Sequence, residues 1–177
     1  MKKLIYPAAM ALILSLSAFV FITAQNWKIA DGYSIKFTSK DPSGTFTLLK
    51  GDIQFDEKDL ATSKFNVTID ANSINTGNGM KNSKSKSAGW LDTGKYPDIK
   101  FVSSSISKKG AGYEAKGNLT LHGVTKEITI PFTYTKTDKG GLFTGSFSVN
   151  RNDYKIGEPG GHTEEVLALD ISVPVTK

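Results

Sequence analysis

The stretch from Tyr113 to Tyr134, YEAKGNLTLHGVTKEITIPFTY, carries two runs of alternation around a turn. Tyr113, Ala115, Gly117, Leu119 and Leu121 form one series, and Glu114, Lys116, Asn118 and Thr120 fall between them. Successive side chains of a strand point to opposite faces, so this is a strand with one apolar and one wet side. His122 and Gly123 supply a short turn. Ile128, Ile130, Phe132 and Tyr134 then resume the apolar series against Thr129, Pro131 and Thr133. The pattern predicts an antiparallel hairpin.

The same period extends in both directions. Asp138, Lys139, Gly140 and Gly141 make the next turn, after which Phe143, Gly145, Phe147 and Val149 alternate with Thr144, Ser146 and Ser148. Leu167, Leu169, Ile171, Val173 and Val175 end the chain in the same manner. Upstream, Tyr33, Ile35 and Phe37, then Ile53 and Phe55, then Phe65, Val67 and Ile69 repeat it. With strands near Gly44 to Leu49 and from Ile99 to Ile106, about eight strands appear. One region departs: residues 82–91, rich in Ser, Lys and Ala, fit a short helix, and Pro97 closes that region before the next strand.

About eight one-sided strands must stack as two sheets or close on themselves. Closure removes exposed edges and leaves an interior that side chains fill or that one small ligand occupies. The expected fold is all-β, a single antiparallel barrel of about eight strands with one short helical segment. Its inward face is apolar. Ala115, Gly117 and Gly145 sit where a filled core would want bulk, which leaves gaps or marks curvature and bulges. Periodicity alone does not separate a filled core from a cavity.

Composition narrows the function classes. Met1, Lys2 and Lys3 precede an uncharged run from Leu4 to Ala24, the layout of an export signal with a cleavage position before Gln25. The alternative is an uncleaved anchor, which Pro7, Ser15 and Ser17 disfavour. The expected organisation is a signal peptide over 1–24 and one domain over 25–177, in the periplasm or secreted. There is no cysteine, so neither a disulfide nor a cysteine-linked lipid anchor is available. Setting Lys2 and Lys3 aside leaves a small positive excess, and Arg151 is the sole arginine. Nucleic-acid readers concentrate arginines on one element, so that class is set aside.

The catalytic inventory is thin. His122 lies in the hairpin turn, while His162 follows Gly160 and Gly161 in a loop with Glu158, Glu164 and Glu165. His162 with Glu164 or Glu165 is the one candidate metal site, and a solvated loop explains the same residues. Ser83, Ser85, Ser87 and Ser103 to Ser105 lack the glycine frame of a nucleophile elbow. Gly77, Asn78 and Gly79 lack the lysine of a phosphate loop and read as a turn. No cofactor is expected. Lys81, Lys84 and Lys86 form the one local basic cluster, suited either to an anionic head group or to solubilising a helix.

Longer strings add a family resemblance. Gly51 to Asp56 (GDIQFD), Ile69 to Asn78 (IDANSINTGN), Tyr96 to Phe101 (YPDIKF), Gly117 to Lys126 (GNLTLHGVTK) and Asn150 to Gly157 (NRNDYKIG) occur in this order. Together they resemble the YceI-like family of exported lipid-binding proteins over nearly all of the chain after residue 24. Lys81 and Asn82 stand where many members place an arginine and an acidic residue, and Trp90 and Leu91 where phenylalanines are common.

The resemblance implies an extended, lipocalin-like barrel that holds a polyisoprenoid or other long-chain lipid without catalysis, often as a homodimer, with transient membrane contact. On that reading the cavity lining is expected at Phe55, Phe65, Val67, Leu119, Ile130, Phe132, Phe147 and Leu169. The mouth or head-group end is expected at Lys81, Lys84, Lys86, Trp90 and Arg151. A filled-core stress or interaction barrel acting through its surface loops is the alternative.

Overall fold

The computed structural model describes residues 25–160 and 163–177. The expected leader and His162, with the metal site built on it, lie outside the described residues. Strands β1 (Asn26–Ile29), β2 (Ser34–Thr38), β3 (Gly44–Phe46), β4 (Leu49–Gln54), β5 (Lys64–Asp70) and β6 (Ile74–Asn75) precede a helix, α1 (Gly79–Lys86). Strands β7 (Asp98–Lys109), β8 (Gly112–Leu121), β9 (Val124–Thr137), β10 (Gly140–Asn150) and β11 (Val166–Thr176) follow.

The hairpin read from alternation is β8–β9, with Tyr113 opposite Phe132 and Leu121 opposite Val124. Neighbours run in the order β1-β4-β5-β7-β8-β9-β10-β11, and β11 returns to β1 through Lys28 opposite Thr176 and Ile29 opposite Val175. This is a closed eight-stranded antiparallel barrel, as the alternation predicts. Closure gives every ladder a partner, and alternate side chains of each strand must enter one shared interior.

Three of the eight positions are filled by bent strands, which is why more segments appear than the alternation suggests. Asp31 and Gly32 break β1 from β2, Thr47 and Leu48 break β3 from β4, and a 3-10 turn at Ala71–Ser73 separates β5 from β6. The strand expected over Gly44 to Leu49 is therefore two pieces. Ser73 holds the central break: its Oγ accepts from the amides of Thr47 and Leu48, both at 3.1 Å. Beyond the breaks, β2 pairs with β11 through Ala168 to Ser172, and β3 and β6 continue outward. The bends lengthen the barrel at one end.

The helix begins earlier than expected because Asn78 caps it. Its Oδ1 accepts from the amides of Met80 and Lys81 at 3.0 and 3.1 Å, satisfying donors that the first turn leaves free. The segment then turns back on itself, with Leu91 N donating to Ser85 O and Tyr96 N to Asp92 O. Gly117 proves to lie opposite a bulge on β7 rather than at a gap. The β7–β8 register shifts between Ser103 and Ser105, and a Cβ on Gly117 would run into the Val102 backbone.

Gly51 faces a similar constraint with the added demand of φ +137°, since a Cβ there would overlap the Asn66 carbonyl oxygen on β5. Gly77 also has positive φ but nothing near its missing side chain. Gly77→Ala is expected to cost about 1 kcal/mol in urea unfolding, the left-handed penalty alone. Gly51→Ala should cost at least ~2 kcal/mol, because strain and backbone collision act together.

Candidate functional site

Inside the barrel the two halves differ. At the end nearest the β1–β11 closure, side chains fill the space. Phe55, 1% exposed, places its ring centroid 5.1 to 6.4 Å from those of Phe65, Tyr113, Phe132, Tyr134 and Phe143. Most of these contacts are edge-on or tilted, the arrangement ring quadrupoles prefer. Trp27 Nε1 donates to the Phe55 carbonyl at 2.9 Å and fixes the chain beside the ring. Beneath lie Tyr113 and Tyr134, whose hydroxyls burial first, and Glu57 second, hold above the usual phenol range. Both hydroxyls remain neutral, and that of Tyr113 donates to Glu57 Oε1 at 2.9 Å on the side away from the chambers.

Above that floor the interior is hollow. A lower chamber of about 140 Å³ is walled by Phe65, Val67, Phe101, Ala115, Leu119, Ile130, Phe132, Phe143, Gly145, Phe147 and Val173, among others. An upper chamber of about 150 Å³ is walled by Phe37, Phe46, Ile74, Trp90, Leu91, Leu121, Val149, Arg151, Ile156, Leu167 and Leu169. Ile35, Ile69, Ile99, Leu119, Phe147 and Ile171 belong to both, so the chambers are stacked about a shared waist. Pro42, Ser85 and Thr163 line the upper chamber from three separate segments and mark its rim. An engineered apolar cavity of about this size stays dry and accepts benzene.

Of the residues expected to line the cavity, Phe65, Val67, Leu119, Ile130, Phe132, Phe147 and Leu169 border one or both chambers. Phe55 does not; it lies behind the floor. The waist isoleucines were not singled out from the sequence. Alternation assigns a residue to the inner face but carries no information on its depth. Gly145 and Ala115 border the lower chamber, but a Cβ on Gly145 would lie 2.8 Å from the Pro131 carbonyl oxygen, so close strand approach accounts for that glycine.

At the rim Arg151 is 1% exposed, and its guanidinium has no carboxylate within ion-pair distance among the described residues. It is held by carbonyls instead. Nε donates to Glu164 O at 3.1 Å, Nη1 to Ile156 O at 2.6 Å, and Nη2 to Glu158 O at 3.0 Å and Thr163 O at 3.2 Å. The guanidinium carbon lies 5.6 Å from the Trp90 ring centre, within cation–π range. Gly157, at φ +67°, passes so close that a Cβ would sit 2.9 Å from Nη1 and 3.2 Å from the indole. Arg151 thus ties the loop before β11 to the segment after α1.

A second tie is Glu165, which accepts from Gly160 N at 3.2 Å. That hydrogen bond first, and the Asn152 side chain second, hold its carboxyl below the usual carboxylate range.

The lysines disperse. Lys84 Nζ stands 5.6 Å from the Trp90 ring centre, Lys81 pairs with Asp41, and the Lys86 carbonyl accepts from Thr93 N. Met80 is 81% exposed beside them. His122 is spent on the fold: Nδ1 lies 3.0 Å from the Tyr154 carbonyl and the ring packs edge-on against Tyr96.

Comparison with known proteins agrees with this architecture. A family model described as the YceI-like domain matches residues 24–175. A UPF0312 protein of Pseudomonas savastanoi pv. phaseolicola is 39% identical over 149 residues, covering 80% of this chain and 73% of the relative. One of Yersinia enterocolitica is 35% identical over 136 residues, covering 73% and 71%. Among solved structures, Burkholderia cenocepacia BcnA superposes with a TM-score of 0.77 at 24% identity, covering 82% of this chain and 96% of that one. A polyisoprenoid binding domain from Saccharophagus degradans, implicated in plant cell wall breakdown, does so at 0.64 and 16% identity, covering 87% and 99%.

The carbonyl cage makes a prediction about Arg151. Arg151→Met should lower stability by about 3 kcal/mol, since it strands several buried carbonyls. Arg151→Lys should recover less than half of that loss, because an ammonium cannot span the fork. Urea unfolding of the three proteins checks both.

Proposed function

Because the chain belongs to the YceI-like domain family, we propose that it is a non-catalytic carrier or store that holds the apolar chain of a lipid in its tunnel, outside the cytoplasm. The observation that carries this reading is the pair of apolar chambers stacked about one waist above an aromatic floor, which together make a tunnel for an extended chain. Burying a methylene contributes about 0.8 kcal/mol, so a chain binds by area alone and needs few polar partners. A polyisoprenoid chain, of a quinone or an isoprenyl phosphate, fits such a wall. The fold shared with the polyisoprenoid binding domain of Saccharophagus degradans supports the same reading.

The chain enters tail first. The floor presents only rings to the lower chamber, whereas Ser85, Thr163 and Arg151 line the upper one, with Lys84 beside Trp90. A polar head remains at that rim, near Lys84 and Lys86. Met80, exposed among the lysines, suits brief contact with an anionic membrane surface during loading. A homodimer is compatible with this role. Catalysis is not part of the proposal, since His122 is committed to its turn.

The filled-core alternative has the aromatic half in its favour, and the tunnel above it against. Organic extraction of the protein purified from its native compartment, followed by mass spectrometry, is expected to release one prenyl or acyl lipid per chain. An empty extract together with no uptake of added prenyl alcohol would favour the filled-core reading. The exported protein is expected to begin at Gln25, and its intact mass reads that directly; a mass that retains residues 1–24 would identify an anchor instead.

A further inference from the structure

We infer that the tunnel is a length gauge: three phenylalanines close it at a depth that buries roughly three isoprene units. This rests on the lipid-binding reading and adds a limit to it. Phe132 and Phe143 come from the neighbouring strands β9 and β10, and Phe65 reaches them from β5 across the barrel; their ring centroids are 5.2, 5.6 and 6.0 Å apart. All three border the lower chamber. Phe55 stands behind them, 5.3 to 6.4 Å from each centroid, and borders neither chamber. The floor is therefore two rings deep and backed by Tyr113 and Tyr134.

The register gives the depth. On β10, Val149 borders the upper chamber opposite Leu167, and Phe143 borders the lower one opposite Val173, six residues away. At a rise of ~3.4 Å per residue and a strand tilt of ~40°, that separation is roughly 15 Å along the barrel axis. An extended polypeptide advances ~3.4 Å per three backbone bonds, so a carbon chain spans the tunnel in roughly thirteen bonds, or three isoprene units. A longer chain reaches the floor and leaves its remaining carbons at the rim, where they gain no further burial.

Affinity then rises with chain length only up to the floor. Each buried methylene tightens binding by roughly fourfold. Titration calorimetry with geraniol, farnesol and geranylgeraniol reads the limit. Farnesol is expected to bind at least tenfold more tightly than geraniol, and geranylgeraniol within threefold of farnesol. Phe143→Ala should deepen the tunnel and give geranylgeraniol more than a threefold advantage. Ile130→Phe adds a ring to the lower chamber instead of removing one, and should abolish the preference for farnesol over geraniol even if the alanine variant fails to fold. A gain above threefold from farnesol to geranylgeraniol in the unaltered protein, or an unchanged preference in Ile130→Phe, overturns the gauge and leaves lipid binding standing. Failure to bind any of the three alcohols overturns both.

Discussion

Phe55 touches five other aromatic rings from strands β5, β8, β9 and β10, and this contact makes the empty half of the barrel affordable. A void lined by apolar side chains costs ~24 cal/mol per Å³, so each chamber costs roughly 3 kcal/mol relative to a filled one. A domain's net stability is only about 5 to 15 kcal/mol. The filled half must supply the excess, and each favourable ring pair adds about 0.5 to 1.5 kcal/mol beyond area burial. The barrel is thus divided by function: one end holds the fold together, and the other stays open.

At the opposite end stability comes from hydrogen bonds. The bends in three strands and the parting of β9 from β10 beyond Gly145 leave the rim without a continuous ladder. Arg151 replaces it, gathering four carbonyls of the loop before β11 while its guanidinium lies within cation–π range of Trp90. Lys126 on β9 and Asp153 in the turn that follows β10 pair at 2.8 Å. A rim fixed by side chains keeps a mouth where pairing would seal it.

Phe65, Val67, Ile130 and Phe147 were legible as inward because alternation has one outcome for a closed sheet. Phe55 was legible as inward too, but not as floor rather than wall, because its place depends on rings from four other strands. Leu119 and Phe147 of the waist were read as lining, whereas the waist isoleucines were not, for the same reason. Arg151 was legible as unusual, being the only arginine, yet its carbonyl cage depends on a loop whose path no period announces. Gly145 and Gly117 looked alike in the sequence; one borders the lower chamber and the other accommodates a bulge on β7.

The one-dimensional pattern by itself determined the fold class, the inward face of most strands and the family, since a period of two and the turn residues are local properties that survive in any context. Only the tertiary structure decided which inward side chains meet and which leave space. Side-chain contact across a barrel depends on strand register, bends and the order of neighbours, and these bring Phe65, Phe132 and Phe143 together while Ile35, Ile69 and Ile171 border open space.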